Sequence, residues 1–226
     1  MSIIEVKDVS YSYQSKYQTI EAVKNVSCSF DTGKFYAIVG HSGSGKTTLL
    51  SLLAGLDLPG KGEILIDGQA ISSLDRDKYR REMASVVYQS FNLFPLLTAL
   101  ENVMWPLELQ GKSRAKAIDD AKRLLLEVGL SEKVYRQRPL MMSGGEQQRV
   151  AIARALAVGG KIMLADEPTG NLDTTNGNII ANLLKTLAHE RNYAVIVITH
   201  NPEIAQQADI VYAMHDGELS LADGDE

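Results

Sequence analysis

Hydrophobic and polar positions change period several times along this chain, and the changes mark out its elements. Ile3, Ile4, Val6 and Val9, with polar neighbours, predict a strand over 3–9. The stretch 19–30 predicts a second and a third strand. Asp31-Thr32-Gly33 then turns the chain into an apolar run at 35–39. A helical pattern follows over 46–54, then a short strand at 63–66 closed by Asp67-Gly68, a charged helix over 75–82 and a strand at 84–88. From 90 to 158 the period lengthens to three and four residues. Helices are expected at 99–110 and 113–128, with Gly111 and Gly129 as stops. This block carries no convincing strand pattern. Beyond it, strands at 161–166, 194–199 and 209–214 alternate with helices at 174–191 and 202–207, and the last strand turns at Asp216-Gly217. That alternation predicts a parallel α/β sheet, whereas the opening strands look antiparallel. The acidic end, Ala222-Asp223-Gly224-Asp225-Glu226, predicts a frayed tail.

Composition narrows the class. With 226 residues, 45% hydrophobic and 23% charged, the chain resembles an ordinary globular protein with a substantial core. The net charge of −5 supplies no basic field, so no nucleic-acid partner is expected. Cys28 is the single cysteine, which excludes an intramolecular disulfide. Alternation over 26–30 puts it on an apolar strand face as an inert thiol, in keeping with a cytosolic protein. No leader pattern opens the chain. No apolar run approaches the roughly 18 residues that span a bilayer. Membrane involvement is therefore expected to come through a partner.

The chemistry begins at Gly40-His41-Ser42-Gly43-Ser44-Gly45-Lys46-Thr47-Thr48, which reads G-x-x-x-x-G-K-T between the strand at 35–39 and the helix at 46–54. Glycines let the backbone curl so that several N–H groups face one phosphate chain, and the helix start adds its positive dipole end. Lys46 reaches β- and γ-phosphates, and the Thr47 hydroxyl is suited to Mg²⁺. A second element is the apolar run 162–165 ending in Asp166-Glu167. Asp166 is placed to hold Mg²⁺ through water. Glu167, one residue on, points to the other side, where a base polarises the water that attacks a γ-phosphate.

Ser143-Gly144-Gly145-Glu146-Gln147-Gln148-Arg149 resembles the signature motif of ABC ATPases, and it precedes Asp166-Glu167 in that family's order. Ser143 at a helix start, two glycines and the dipole together suit a second anion site. The family's usual string is Leu-Ser-Gly-Gly-Gln. Here Met142 is a mild packing change, and Glu146 adds a negative charge expected to weaken a closed dimer. The resemblance extends over nearly the whole chain. It implies that Gln89 contacts Mg²⁺ and the attacking water, that His200 contacts the γ-phosphate, and that Asn171-Leu172-Asp173 runs along a dimer interface. It further implies that Tyr13, in preference to Tyr11, stacks on adenine. The implied cofactors are ATP and Mg²⁺.

The fold implied is α/β: a P-loop NTPase with a mixed or parallel sheet core, an N-terminal antiparallel β subdomain and an inserted α-helical subdomain. It forms one domain, with 1–89 and 159–226 as catalytic core and 90–158 as helical subdomain. In this family two copies close head to tail around two ATP, Ser143, Gly144 and Gly145 of one facing the P-loop of the other. The run Phe91, Leu93, Phe94, Leu96 and Leu97 after Gln89 resembles the region that receives an integral membrane permease subunit. The likeness is to the lipoprotein-export, macrolide-export and antimicrobial-peptide-export group, peripheral at the cytoplasmic face of the cell membrane. The alternatives are a soluble ABC-type ATPase and one that signals through a membrane partner without transport.

Overall fold

Two sheets organise the chain, and the computed structural model describes them over residues 2–222. The first sheet is antiparallel, in the order β2-β1-β4-β5, built from β1 (Ser2–Gln14), β2 (Thr19–Asp31), β4 (Lys61–Ile66) and β5 (Gln69–Ala70). The second has the order β10-β9-β3-β8-β7-β6. Its strands are β3 (Lys34–Val39), β6 (Ala84–Tyr88), β7 (Ile162–Asp166), β8 (Ala194–Ile198), β9 (Ile210–His215) and β10 (Glu218–Leu221). All its pairs are parallel except β9 with β10. Helices α1 (Lys46–Leu53) and α2 (Arg76–Glu82) precede β6. Then α3 (Ala99–Leu109), α4 (Arg114–Glu127), α5 (Glu132–Tyr135) and α6 (Gly144–Ala157) follow without an intervening strand. Last come α7 (Thr174–Arg191) and α8 (Pro202–Ala205).

The two-residue period of the central strands sorts their side chains into two cores, because successive Cβ atoms leave opposite faces of a sheet. Met163 and Ala165 of β7, with Val195 and Val197 of β8, face the helices of 99–157 and α7. Ile162 and Leu164, with Ile196 and Ile198, face the other way, onto α1 and the antiparallel sheet. Both faces being covered explains why these strands read as unbroken apolar runs.

Two expectations need correction. Residues 19–30 do not form two strands. One continuous strand, β2, pairs with β1, and register shifts in this pair, with the extra residue on β1 after Val6 and on β2 opposite Val9–Tyr11 and Tyr11–Ser12, absorb the irregular polar spacing that suggested a break. The strand β10 was not foreseen, although Asp216-Gly217 marks it. Both residues have positive φ, 47° and 91°, as a two-residue hairpin turn requires. Cys28 lies on β2, partly buried against the second core, and burial pushes its thiol up to about 12. The expected frayed tail from Asp223 onward lies outside the described residues.

One buried polar residue sets the path of the chain between β6 and α3. Asn102, with no exposed surface, donates from Nδ2 to the carbonyls of Phe94 (3.2 Å), Leu97 (3.2 Å) and Thr98 (3.0 Å). Its Oδ1 accepts from the Phe94 amide at 2.8 Å. The side chain thus satisfies the Phe94 amide and the Leu97 carbonyl, and adds to the backbone bonds that the Phe94 and Thr98 carbonyls already accept. Thr98 and Glu101 close a capping box immediately before it. Replacing Asn102 by Ala leaves the Phe94 amide and the Leu97 carbonyl without these partners. The expected cost is about 2–4 kcal/mol in urea unfolding, with faster proteolysis within 92–98 than in the native chain.

Candidate active site

The parallel register decides where the chemistry gathers. Tyr88 pairs with Asp166, Asp166 with Ile198, and Ile198 with Ile38, so β6, β7, β8 and β3 end at one level. Gln89, Glu167, His200 and the glycine-rich loop leave those four ends together. This is the edge at which open α/β sheets bind ligands. A cavity of about 610 Å³ lies there, lined among others by Tyr13, Gly40, Lys46, Gln89, Asp166 and His200.

The loop from Gly40 to Gly45 is held against β2 and the β9–β10 turn. A Cβ on Gly45 would meet the Ala22 carbonyl oxygen at 2.1 Å, and one on Gly40 the Met214 carbonyl oxygen at 2.2 Å. Only glycine permits that approach. Lys46 folds back into the loop, donating to the carbonyls of Gly40 and His41 at 2.8 Å each. Its burial lowers the ammonium pKa. His41, Ser42, Gly43, Thr47 and Thr48 also line the cavity. Ser44 does not. Its hydroxyl is buried beside the Lys46 ammonium, 3.4 Å away, because the turn that brings its amide to His41 O rotates its side chain inward. Any contact of Ser44 with phosphate is therefore through its backbone amide.

At the end of β7, the Thr47 hydroxyl donates to Asp166 Oδ2 at 3.2 Å. Burial raises the Asp166 pKa, and the neighbouring Glu167 charge adds to the effect. Glu167 adopts a left-handed conformation, φ 48°, which few non-glycine residues tolerate. Its amide donates to the Ile198 carbonyl, and its carboxylate accepts at 2.7 Å from His200 Nδ1. Gln89 and Asn171 clasp one another: Gln89 Nε2 donates to Asn171 Oδ1 (3.2 Å), and Asn171 Nδ2 to the Gln89 carbonyl (3.1 Å).

Tyr13 stands at the cavity mouth, its hydroxyl 3.2 Å from that of Thr48. Tyr11 packs edge-on against it, and its ring is turned toward the second core. Ile20 and Ala22 complete this apolar wall and were missed by sequence reasoning. The signal was available only through register, which pairs Tyr13 with Ile20.

Ser143, Gly144, Gly145 and Asp173 are absent from the cavity lining. They form a second group on the same chain. Asp173 caps α7, accepting from the Asn176 amide and side chain at 2.8 Å each. Asn176 in turn fills the space beside Gly145, and Leu172 the space beside Gly144. Ser143 caps α6 in a capping box with Glu146, whose carboxylate accepts from the Ser143 amide (2.8 Å) and hydroxyl (2.9 Å). The Glu146 carboxylate is thus engaged at the helix start, a role the spacing S-x-x-E signals and sequence reasoning overlooked. Met142 is buried in the first core.

Residues 23–170 match the family model described as "ABC transporter". The chain belongs to the ABC transporter family. An uncharacterized ABC transporter ATP-binding protein, YclH of Bacillus subtilis, is 42% identical over 221 residues, covering 98% of this chain and 97% of that protein. The macrolide export ATP-binding/permease protein MacB of Salmonella typhimurium is 42% identical over 96% of this chain, which corresponds to 34% of MacB. The dimeric structure of MJ0796, the cassette of Methanocaldococcus jannaschii, superposes with a TM-score of 0.89 at 40% identity. It covers 98% of this chain and 100% of that one. MJ0796 is also known as a dimer in a post-hydrolysis state with ADP and Pi. The fold is the ABC ATPase cassette, and the chain is an ATPase of that family.

The Asp166 environment predicts a trade between stability and activity. A group whose folded pKa is raised destabilises the fold once it is ionised, above that pKa. Asp166→Asn keeps an acceptor for Thr47 and removes the charge. Its Tm is expected to exceed that of the native chain at pH 7, the gain shrinking as pH falls and Asp166 becomes protonated, while ATP hydrolysis is lost. Thermal unfolding across pH, alongside phosphate release, measures both.

Proposed function

We propose that this cassette binds ATP with Mg²⁺, closes head to tail on a second copy, and uses closure and hydrolysis to drive a separate membrane permease for export or membrane extraction. The observation that carries the reading is the division of the motifs between two places. The cavity gathers Lys46, Thr47, Gln89, Asp166, Glu167 and His200, while Ser143, Gly144, Gly145 and Asp173 lie outside its lining. Each cavity then needs the second group from another molecule. The dimeric MJ0796 cassette, at 40% identity, supports the pairing.

In this reading Lys46 exchanges its loop carbonyls for phosphate oxygens, and the loop amides hold the rest of the chain of phosphates. Tyr13 stacks on the base. Thr47 and Asp166, with Gln89 beside them, offer oxygen donors that suit Mg²⁺. When bound, that ion would supply charge neutralisation to the phosphates. Glu167 polarises the attacking water, its carboxylate aimed by the His200 contact, and His200 reaches for the γ-phosphate. Asn171 acts as a link between Gln89 and the 171–173 loop, so loss of γ-phosphate is felt where the second copy docks.

The permease is assigned to a groove between the core and the helical lobe of residues 90–158. Leu56, Arg80, Phe94, Trp105 and Arg154 are among its lining, with Phe94 and Trp105 rings 5.5 Å apart. Of the apolar run after Gln89, Leu93 packs inward, whereas Phe94 and Leu96 are exposed. Among the described residues no helix is long and apolar enough to cross a membrane. The membrane is therefore reached through the partner, and the cassette sits at its cytoplasmic face. Likeness to MacB, a macrolide export protein by name, favours export.

Two outcomes test this reading. Glu167→Gln should bind ATP and accumulate as a dimer in size-exclusion chromatography with light scattering, with turnover reduced at least about a hundredfold. Lys46→Ala should remain monomeric with ATP. A strictly monomeric Glu167→Gln chain carrying ATP contradicts the shared site. Separately, Trp105→Glu should leave the ATPase of the isolated chain unchanged and abolish co-purification with an integral membrane permease from the source membranes.

A further inference from the structure

We propose that His41, His215 and Asp216 form a site for a divalent transition metal, with Zn²⁺ the best fit, which fastens the glycine-rich loop to the β9–β10 turn. His41 lies 174 positions before the adjacent pair His215 and Asp216 and meets it only through folding, and one ligand atom from each lies within 4.8 Å of the others. His41 Nε2 is 3.5 Å from Asp216 Oδ1, and His215 Nδ1 is 3.4 Å from Asp216 Oδ2. Both separations are longer than ordinary hydrogen bonds, about 2.7–3.2 Å. Each is close to the edge, about 3.4 Å, of a tetrahedron whose centre lies about 2.0–2.1 Å from its ligands; they run to different oxygens of Asp216, so a small rotation of these exposed side chains is needed to bring all three onto one ion.

The surroundings suit a metal as well as the distances do. His41 Nδ1 lies 2.9 Å from the Ser42 carbonyl. Donation there leaves the lone pair on Nε2, the nitrogen that faces Asp216. A backbone carbonyl of this kind is the usual orienting partner of a metal-bound histidine. The His41 and His215 rings meet edge to face, with centroids 5.1 Å apart. Asp216 is held by the tight turn, in which its φ is 47°. That turn is itself bonded to the loop, since the Gly217 amide donates to the Ser44 carbonyl at 2.9 Å. All three residues are exposed, so a water completes the fourth position. Two imidazoles and a carboxylate select Zn²⁺, Co²⁺, Ni²⁺ or Cu²⁺ and disfavour Mg²⁺. The site is thus chemically separate from the oxygen donors Thr47, Gln89 and Asp166. Because His41 also lines the nucleotide cavity, the cation would brace the loop at its rim.

The test uses the full chain without nucleotide, titrated with Co²⁺ and followed by visible absorption, with Zn²⁺ added to displace it. Expected is one equivalent per chain with the intense bands of tetrahedral Co²⁺, weakened at least about tenfold in affinity by His215→Ala and by Asp216→Asn. His200→Ala should leave the spectrum unchanged, which excludes binding at the Glu167–His200 pair. Zn²⁺ should raise the Tm of the native chain and not that of His215→Ala. His215→Ala should keep its Mg²⁺-dependent ATP turnover, showing that it folds. Absence of Co²⁺ binding, or a signal that survives His215→Ala or needs His200, overturns the proposal.

Discussion

The common level at which β6, β7, β8 and β3 end is the constraint on which the rest of this structure depends. Four segments far apart in sequence leave the sheet side by side because their parallel partners are in register. That register is enforced by burial on both faces. A one-residue slip would exchange the two sets of side chains between cores that differ in shape and volume. Placement of Lys46, Gln89, Asp166 and His200 is therefore inherited from packing of residues such as Leu164 and Ile196, which touch no ligand.

Around this edge, the polar side chains are held by contacts within the chain. Lys46 rests on two loop carbonyls, Glu167 on His200, and Gln89 on Asn171. Each is a charged or polar group satisfied within the chain, so under the proposed function phosphate exchanges one set of hydrogen bonds for another. The net gain per contact is modest, which suits a site that must also release its product. The Gln89–Asn171 clasp has a further consequence. It joins the cavity to the 171–173 loop and, through Leu172 and Asn176, to the start of α6. The two motif groups are thus mechanically adjacent although they do not share one cavity.

Legibility in the sequence followed locality. The boundaries of β6 and α7 coincide with those expected from period alone, because each is a long or clean apolar pattern ended by a strong signal. The loop at 40–48 was legible since its chemistry is carried by consecutive residues. Glu146 was read only as a charge near triphosphate, and its local role at the helix start went unread. Its partner is three residues away at Ser143, and the capping box would have shown it. The inward turn of the Ser44 side chain was not legible, because consecutive residues of a tight loop point in different directions, which spacing does not report. Ile20, Ala22 and Asn102 were invisible as site or scaffold residues. Each has meaning only beside a residue on another element or in a loop with no regular period.

By itself the sequence determined the α/β class, the phosphate-binding loop, the order of the motifs and the resemblance to ABC ATPases. These rest on period and short-range spacing, which are properties of a linear chain. Only the tertiary structure decided which motifs share a cavity and which stand apart. It alone turned Ser44 inward, held the 94–98 segment on Asn102, and brought His41 against His215 and Asp216. Those outcomes depend on strand register and on the close approach of backbone at Gly40 and Gly45, and such contacts exist only once the two sheets have packed.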